Sequence, residues 1–349
     1  MSESFPQRGR SKRIALVLSL LASVSLTLCR LWSDGGLPSA FIVEQAHINR
    51  QPSPFAEAFP SVNITDSLDS FSNLTELVQL QNLPVPRNLN ILFMGDSLTR
   101  YQYLDLVYFL SHNGTWPSPN DRPNMVMEKT HRNGWTQFYS FTKSALQPYE
   151  QCDCFREFNL TTLIENRYYH DPVRNNRVTY LQKFGKLPFK SNWNVTEVHQ
   201  EHRLVQSAAE LNFLIQDADW VDAIRDFVCH LSPKPSLFIF NAGLWRDHDL
   251  KDVALQQKIV QALQACNIPS MFKTTTKPKT SAQPTWDEYE RQLCNLTDYC
   301  MDVRWTALVP ESYYWDWLHF HEPIYSMLNV QLLSMITSHV NFDVVEAIS

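Results

Sequence analysis

Three short stretches of the chain hold side chains whose types and spacing suit covalent acyl chemistry. The first is Gly95-Asp96-Ser97, which follows the apolar run Ile91-Leu92-Phe93-Met94 and precedes Leu98-Thr99-Arg100. A serine hydroxyl is a poor nucleophile at neutral pH and needs a base within hydrogen-bond reach. The second stretch, Asp316-Trp317-Leu318-His319, supplies one. Its aspartate and histidine stand three apart, so one helical or turn-like step lets the carboxylate hold one ring nitrogen while the other faces Ser97. The third is Phe240-Asn241-Ala242-Gly243-Leu244-Trp245, an apolar run that ends in Asn-x-Gly. Asn241 can donate its amide to the oxyanion of a tetrahedral intermediate, or it can simply close a turn. Arg100 lies about one turn past Ser97 and can reach that oxyanion, an acidic neighbour or a surface partner. Backbone N–H groups at a helix start behind Ser97 would face developing negative charge as well. Gly95 suits a tight turn there, and Asp96 either holds the turn or is an ordinary member of it.

Other uses of the same residues are weaker. His321 is the rival base, two residues beyond His319. Asp316 and His319 can also be read as caps of a helix starting near Pro323. A zinc site built from His319, His321 and the His199-Gln200-Glu201-His202 stretch has neither the HExxH order nor a clear third ligand. The expectation is no metal and no cofactor, only an acyl donor.

Positioning such a set takes strands that end together and helices that start behind them. Strand-like apolar runs recur at Asn90 to Met94, Ser236 to Phe240, Ile268 to Lys273 and, as a fourth, Met301 to Thr306. Leu98, Tyr101, Leu104, Val107 and Tyr108 repeat at three and four, as do apolar residues along Leu250 to Ala265 and from Pro323 onward. Strand and helix in alternation predict an α/β domain, a parallel sheet with helices on both faces. Ser111 to about Gln206 breaks the rhythm with prolines and tryptophans, so about 111–206 is expected to form an inserted, irregular lobe beside the catalytic end of the sheet.

The 349 residues are 44% hydrophobic and 19% charged, ample for one sizeable core. A net charge of -6 gives no basic excess, which argues against a nucleic-acid partner. With 10 Trp, 13 Tyr and 20 Phe, some aromatic rings are expected to line a cleft for a ring-shaped ligand. Arg8, Arg10, Lys12 and Arg13 precede an apolar stretch from Ile14 to Cys29, the pattern of a signal peptide or signal anchor. No clean small-x-small cleavage site follows, which favours a retained single-pass anchor over a secreted form. The expected organisation is a cytosolic tail at 1–13, an anchor at 14–32, a Pro- and Ser-rich luminal stem at 33–87 and a catalytic domain at 88–349. Acceptor sequons at Asn63, Asn73, Asn113, Asn159, Asn194 and Asn295 agree with a luminal domain. Cys152, Cys154, Cys229, Cys266, Cys294 and Cys300 form an even set once Cys29 is given to the anchor, enough for three disulfides. Cys152 and Cys154 are expected to find partners elsewhere, because a CxC is tight to close on itself.

The blocks Gly95-Asp96-Ser97-Leu98-Thr99-Arg100-Tyr101-Gln102, Phe240 to Trp245 and Asp316 to His319 resemble the PC-esterase family, a branch of the SGNH/GDSL-like hydrolases. That family includes the plant trichome-birefringence-like polysaccharide O-acetyltransferases and the luminal domains of sialic-acid and capsule O-acetylation proteins. The resemblance covers roughly residues 88 to 340. It implies a three-layer α/β/α flavodoxin-like (SGNH hydrolase-like) fold, a Golgi type II topology and an acyl-enzyme on Ser97. Asp316 and His319 would complete the triad, and Arg100 and Asn241 would be the oxyanion donors. It further implies a glycan or polysaccharide acceptor, with a carbohydrate O-acetyl esterase or a non-catalytic glycan-binding protein as alternatives. Two features differ: Leu244 stands where the plant members carry His, and the stem lacks their Cys- and Trp-rich block. No multi-helix membrane domain accompanies the motifs, so the acetyl donor is expected to be luminal already or supplied by a partner membrane protein.

Overall fold

The structure is a computed structural model and describes residues 83–117, 135–146, 148–156, 163–191, 215–245, 249–279, 287–337 and 343–344. The expected tail, anchor and most of the stem lie outside the described residues. So do the sequons at Asn63, Asn73, Asn159 and Asn194, and the histidines His199 and His202. Among the described residues no helix is long and apolar enough to cross a membrane.

The central element is a seven-stranded sheet. Its strands, in chain order, are β1 (Asn90–Gly95), β2 (Glu150–Arg156), β3 (Leu163–Asp171), β4 (Asn176–Gln182), β5 (Leu237–Phe240), β6 (Ser270–Lys273) and β7 (Tyr299–Met301). They lie in the order β7-β6-β5-β1-β4-β3-β2. From β7 to β4 the pairings are parallel, while β3 pairs antiparallel with both β4 and β2. Six α-helices among the described residues accompany it: α1 (Ser97–Ser111), α2 (Trp135–Ala145), α3 (Trp220–Asp226), α4 (Val253–Ala265), α5 (Glu288–Leu296) and α6 (Glu322–Thr337).

Why β1 reads as an unbroken apolar run is clear from the two cores. Ile91 and Phe93 enter one apolar cluster together with residues of α1, α2 and α6. Leu92 and Met94 enter another with Trp220, Ile224, Ile259, Leu263 and Leu293 of α3, α4 and α5. Alternate side chains point to opposite faces of a strand, so a strand covered on both faces has no polar side. α1 is buried along most of its length for the same reason, and several of its polar residues find partners inside the protein. Asp105 accepts from Ser326 Oγ at 3.0 Å and from Asn329 Nδ2 at 2.9 Å, which fixes α6 against α1. Burial pushes the Asp105 carboxyl well above the usual range.

Several expectations from the sequence change here. The described part of 111–206 does not stand apart as an irregular lobe; it contributes α2 and the strands β2, β3 and β4 to the main sheet. In β2 and β3 the apolar pattern is interrupted by Glu150, Glu165 and Arg167, all fully buried in ion pairs, which read as surface residues in the sequence. The fourth strand is Tyr299–Met301, and Arg304–Leu308 forms a 3₁₀ turn instead of extending it. The stem boundary at 87 moves as well, since Pro86–Arg87 pairs antiparallel with Asp343–Val344 and Val85 packs on the core. Cys152 and Cys154 are bonded to each other, and Cys229 pairs with Cys266 and Cys294 with Cys300. Residues two apart on a strand share a face, and the 5.3 Å between the Cα atoms of Cys152 and Cys154 falls within disulfide range.

Candidate active site

The carboxyl ends of β1, β5 and β6 lie side by side, placing Gly95, Asn241 and Lys273 at one edge. Asp96 then caps α1: its Oδ1 accepts from the N–H groups of Leu98 at 3.1 Å and Thr99 at 3.3 Å. Those two amides are therefore engaged, and among the described residues the Ser97 N–H is the amide of this turn left without an acceptor. Gly95 is needed for close approach, not for a special backbone angle. A Cβ there would meet Thr99 Oγ1 at 2.7 Å and the Asn241 carbonyl at 3.1 Å. Gly243 answers to both demands, with φ +70° and a Cβ position 1.9 Å from Asp96 Oδ2.

His319 arrives from a loop 222 residues away in sequence, and its Nε2 lies 2.8 Å from Ser97 Oγ. That loop is a tight antiparallel turn. Trp315 N–H donates to the His319 carbonyl, His321 N–H to the Tyr313 carbonyl, and Lys279 N–H to the Trp317 carbonyl. Asp316 anchors it with both oxygens. Oδ1 accepts from the N–H groups of Leu318 and His319, each at 2.7 Å, and Oδ2 meets His319 Nδ1 at 2.8 Å. Partial burial works against the Asp316 carboxylate, but the hydrogen bonds from the His319 side chain and backbone outweigh it and hold the carboxyl below its usual range. The imidazole is steadied by Trp315, stacked at 5.0 Å, and by the Tyr101 ring edge-on at 5.3 Å. A base oriented in this way can take the Ser97 proton, which is the first half of nucleophilic catalysis.

The two proposed oxyanion donors are held differently from expectation. Asn241 is buried; its Nδ2 donates to the Lys273 carbonyl at 2.7 Å, and its Oδ1 accepts from Gly243 N–H at 2.6 Å. It ties β5 to β6 beneath the site. Arg100 reaches the acidic neighbour, not the surface: only 1% exposed, it donates Nη1 to Glu165 Oε2 and Nη2 to the Tyr101 hydroxyl, each at 2.8 Å. Glu165 in turn takes Arg167 Nε at 2.9 Å, and Arg167 bonds Glu150 at 2.9 Å. His321 is absent from the cleft lining.

Ser97 and His319 open into a cleft of about 490 Å³. Its walls include Trp135, Phe184, Trp245, Trp315 and Trp317, with Arg156 among them. Trp245 stacks on Phe184 at 5.3 Å, and Trp317 is 63% exposed. The aromatic lining was anticipated from composition, whereas Arg156 was not: no motif marks it, and only the pairing of β2 with β3 brings it to the site. Of the sequons, Asn113 and Asn295 are described, and both are exposed. Comparison with protein-family models, with curated protein sequences and with solved structures returned no match to this chain.

Proposed function

We propose that the chain is a serine-dependent O-acyltransferase that moves acetyl groups onto glycan or polysaccharide hydroxyls in the Golgi lumen. The observation that carries the reading is the continuous line from Asp316 Oδ2 through His319 to Ser97 Oγ, two contacts of 2.8 Å. It opens into an aromatic cleft at the carboxyl edge of a mostly parallel sheet. The motif resemblance adds the PC-esterase family, a flavodoxin-like arrangement of that sheet and the carbohydrate substrate class.

In the first step Ser97 Oγ forms a bond to the acyl carbonyl carbon while its proton passes to His319 Nε2. The tetrahedral oxyanion faces the free Ser97 N–H and the positive end of α1. Collapse breaks the bond to the donor's leaving group, which takes the proton from His319. In the second step a sugar hydroxyl gives its proton to His319 and attacks the acyl carbon. The Oγ–carbon bond breaks, and Ser97 recovers the proton. Asp316 stabilises the imidazolium in both steps. Water in place of the sugar makes the same residues an esterase, since the two activities differ only in the second acceptor.

The test is to weigh the intact, full-length chain after exposure to an activated acetyl ester, with Ser97→Ala alongside. An added acetyl group that is absent from the variant supports the acyl-enzyme, and no adduct with no ester turnover overturns it. Adding oligosaccharides and following the acetyl group to sugar or to water separates transferase from esterase.

A further inference from the structure

The cleft carries a cation that the catalytic steps do not use. Arg156 closes β2, lines the cleft and lays its guanidinium carbon 3.7 Å from the centroid of the Trp135 ring. Arg100 approaches the same ring at 5.4 Å. Behind them, Glu165 is taken by Arg100 and Arg167, and Glu150 by Arg167. Arg100 and Arg167 thus take both carboxylates, and among the described residues no carboxylate is in salt-bridge contact with Arg156. The acids that line the cleft, Asp96 and Asp316, are committed to the α1 cap and to His319. The Nε–H groups of Arg100 and Arg156 are both buried without an acceptor. Burial, with the Arg100 charge nearby, outweighs the pull of Tyr139 and Glu165 and pushes the Arg156 pKa down, and burial pushes the Glu150 carboxyl up to about 7, so the positive excess grows as that acid takes a proton.

A half-buried guanidinium with no carboxylate in salt-bridge contact is costly until an anion meets it, and a planar fork stacked on an aromatic ring is suited to a carboxylate or sulfate. The same cleft offers Trp245, 38% exposed, and Trp317, 63% exposed, as flat surfaces for a sugar ring. Resting on the acyl-transfer reading for its place in the reaction, we propose that the cleft takes an acidic sugar, a pyranose bearing a carboxylate or sulfate, and that Arg156 binds the anion.

Calorimetric titration of the full-length chain without acyl donor tests this apart from any chemistry. The ligands are cellotetraose, the same tetrasaccharide oxidised to glucuronate at C6, and its 6-O-sulfate. At least one anionic form is expected to bind tenfold or more tighter than cellotetraose, with a preference that shrinks as salt is raised. In Arg156→Gln the ratio of anionic to neutral affinity falls close to one, while Arg156→Lys retains part of it; melting curves show whether each variant is folded. Equal affinity for all three sugars in the unaltered chain overturns the proposal, as does a preference that survives in folded Arg156→Gln. Whether the anion is carboxylate or sulfate follows from which form binds better. Because no donor is present, failure of Ser97 to form an acyl-enzyme would remove the transferase reading and leave this result standing or falling by itself.

Discussion

Asp316→Asn isolates the contribution of one charge at one hydrogen bond. Asparagine can keep an oxygen where Asp316 Oδ1 accepts from the Leu318 and His319 N–H groups, so the loop retains both of its 2.7 Å anchors. What changes is the other arm, which places an NH₂ where Oδ2 now meets His319 Nδ1 at 2.8 Å. Two donors cannot share that bond, so Nδ1 must become the acceptor and the ring proton moves to Nε2. Nε2 then points a hydrogen at Ser97 Oγ instead of a lone pair, and the base is lost while the architecture stays. Removing the orienting carboxylate of a serine triad in this way costs about 10³- to 10⁴-fold in rate, or about 4 to 5.5 kcal/mol of barrier. The assay is the release of nitrophenolate as the full-length chain is acylated by p-nitrophenyl acetate, beside a melting curve. A loss below about tenfold in a variant that melts like the parent would refute the assignment of Asp316 and with it the tautomer argument.

Three further outcomes are expected. Glu165→Gln removes the carboxylate shared by two buried guanidiniums, and breaking such a pair should destabilise by about 3–5 kcal/mol in denaturant unfolding; a change under about 1 kcal/mol would contradict the buried network, and Arg291→Gln at the exposed Glu288 pair should leave the midpoint in place. Gly243→Ala forces a Cβ onto Asp96 at φ +70°, so beyond the about 1–2 kcal/mol of left-handed backbone strain it should disturb the cap and slow Ser97 acylation. Unfolding and acylation measured together decide this, and parent-like acylation would refute it. Lys273 is fully buried, and burial lowers its pKa to about 8 against the pull of Asp96. The folded protein then binds fewer protons than the unfolded chain above that value, so stability gains up to about 1.4 kcal/mol per pH unit from pH 8 towards 10. That rise should appear as a difference between the parent and Lys273→Met in unfolding curves at pH 7.5, 8.5 and 9.5, and identical pH profiles would exclude it.

The parts of the fold that read clearly from sequence are those whose physics is local. β1, β5 and β6 are apolar on both faces, and α1, α4 and α6 repeat apolar residues at helical spacing, so each announces itself within a short window. β2 and β3 did not, because Glu150, Glu165 and Arg167 are buried by mutual pairing, and charge in a sequence reads as surface until its partner is known. The same cause displaced Arg100: its chemistry was visible, but Glu165, 65 residues on, decides where its guanidinium goes. Ser97, Asp316 and His319 were legible as a set because a turn and a three-residue step constrain them. Arg156 carries no such signature. Asn241 was placed at the right edge of the sheet, yet its amide serves the backbone of β6, a choice settled by the neighbouring strand end.

The distance of 222 residues between Ser97 and His319 also has a meaning in time. At about 5–20 residues per second of synthesis, the serine emerges about 10 to 40 s before its base does. During that interval the hydroxyl has no imidazole to activate it, and α1 lacks the Asn329 and Ser326 contacts that α6 brings. A chain at that stage therefore holds Ser97 without the hydrogen bond to His319 that the folded domain gives it. Ser97, His319 and the α1–α6 contacts come together only once the chain through α6 has been made, so the serine–imidazole pair is a product of late folding.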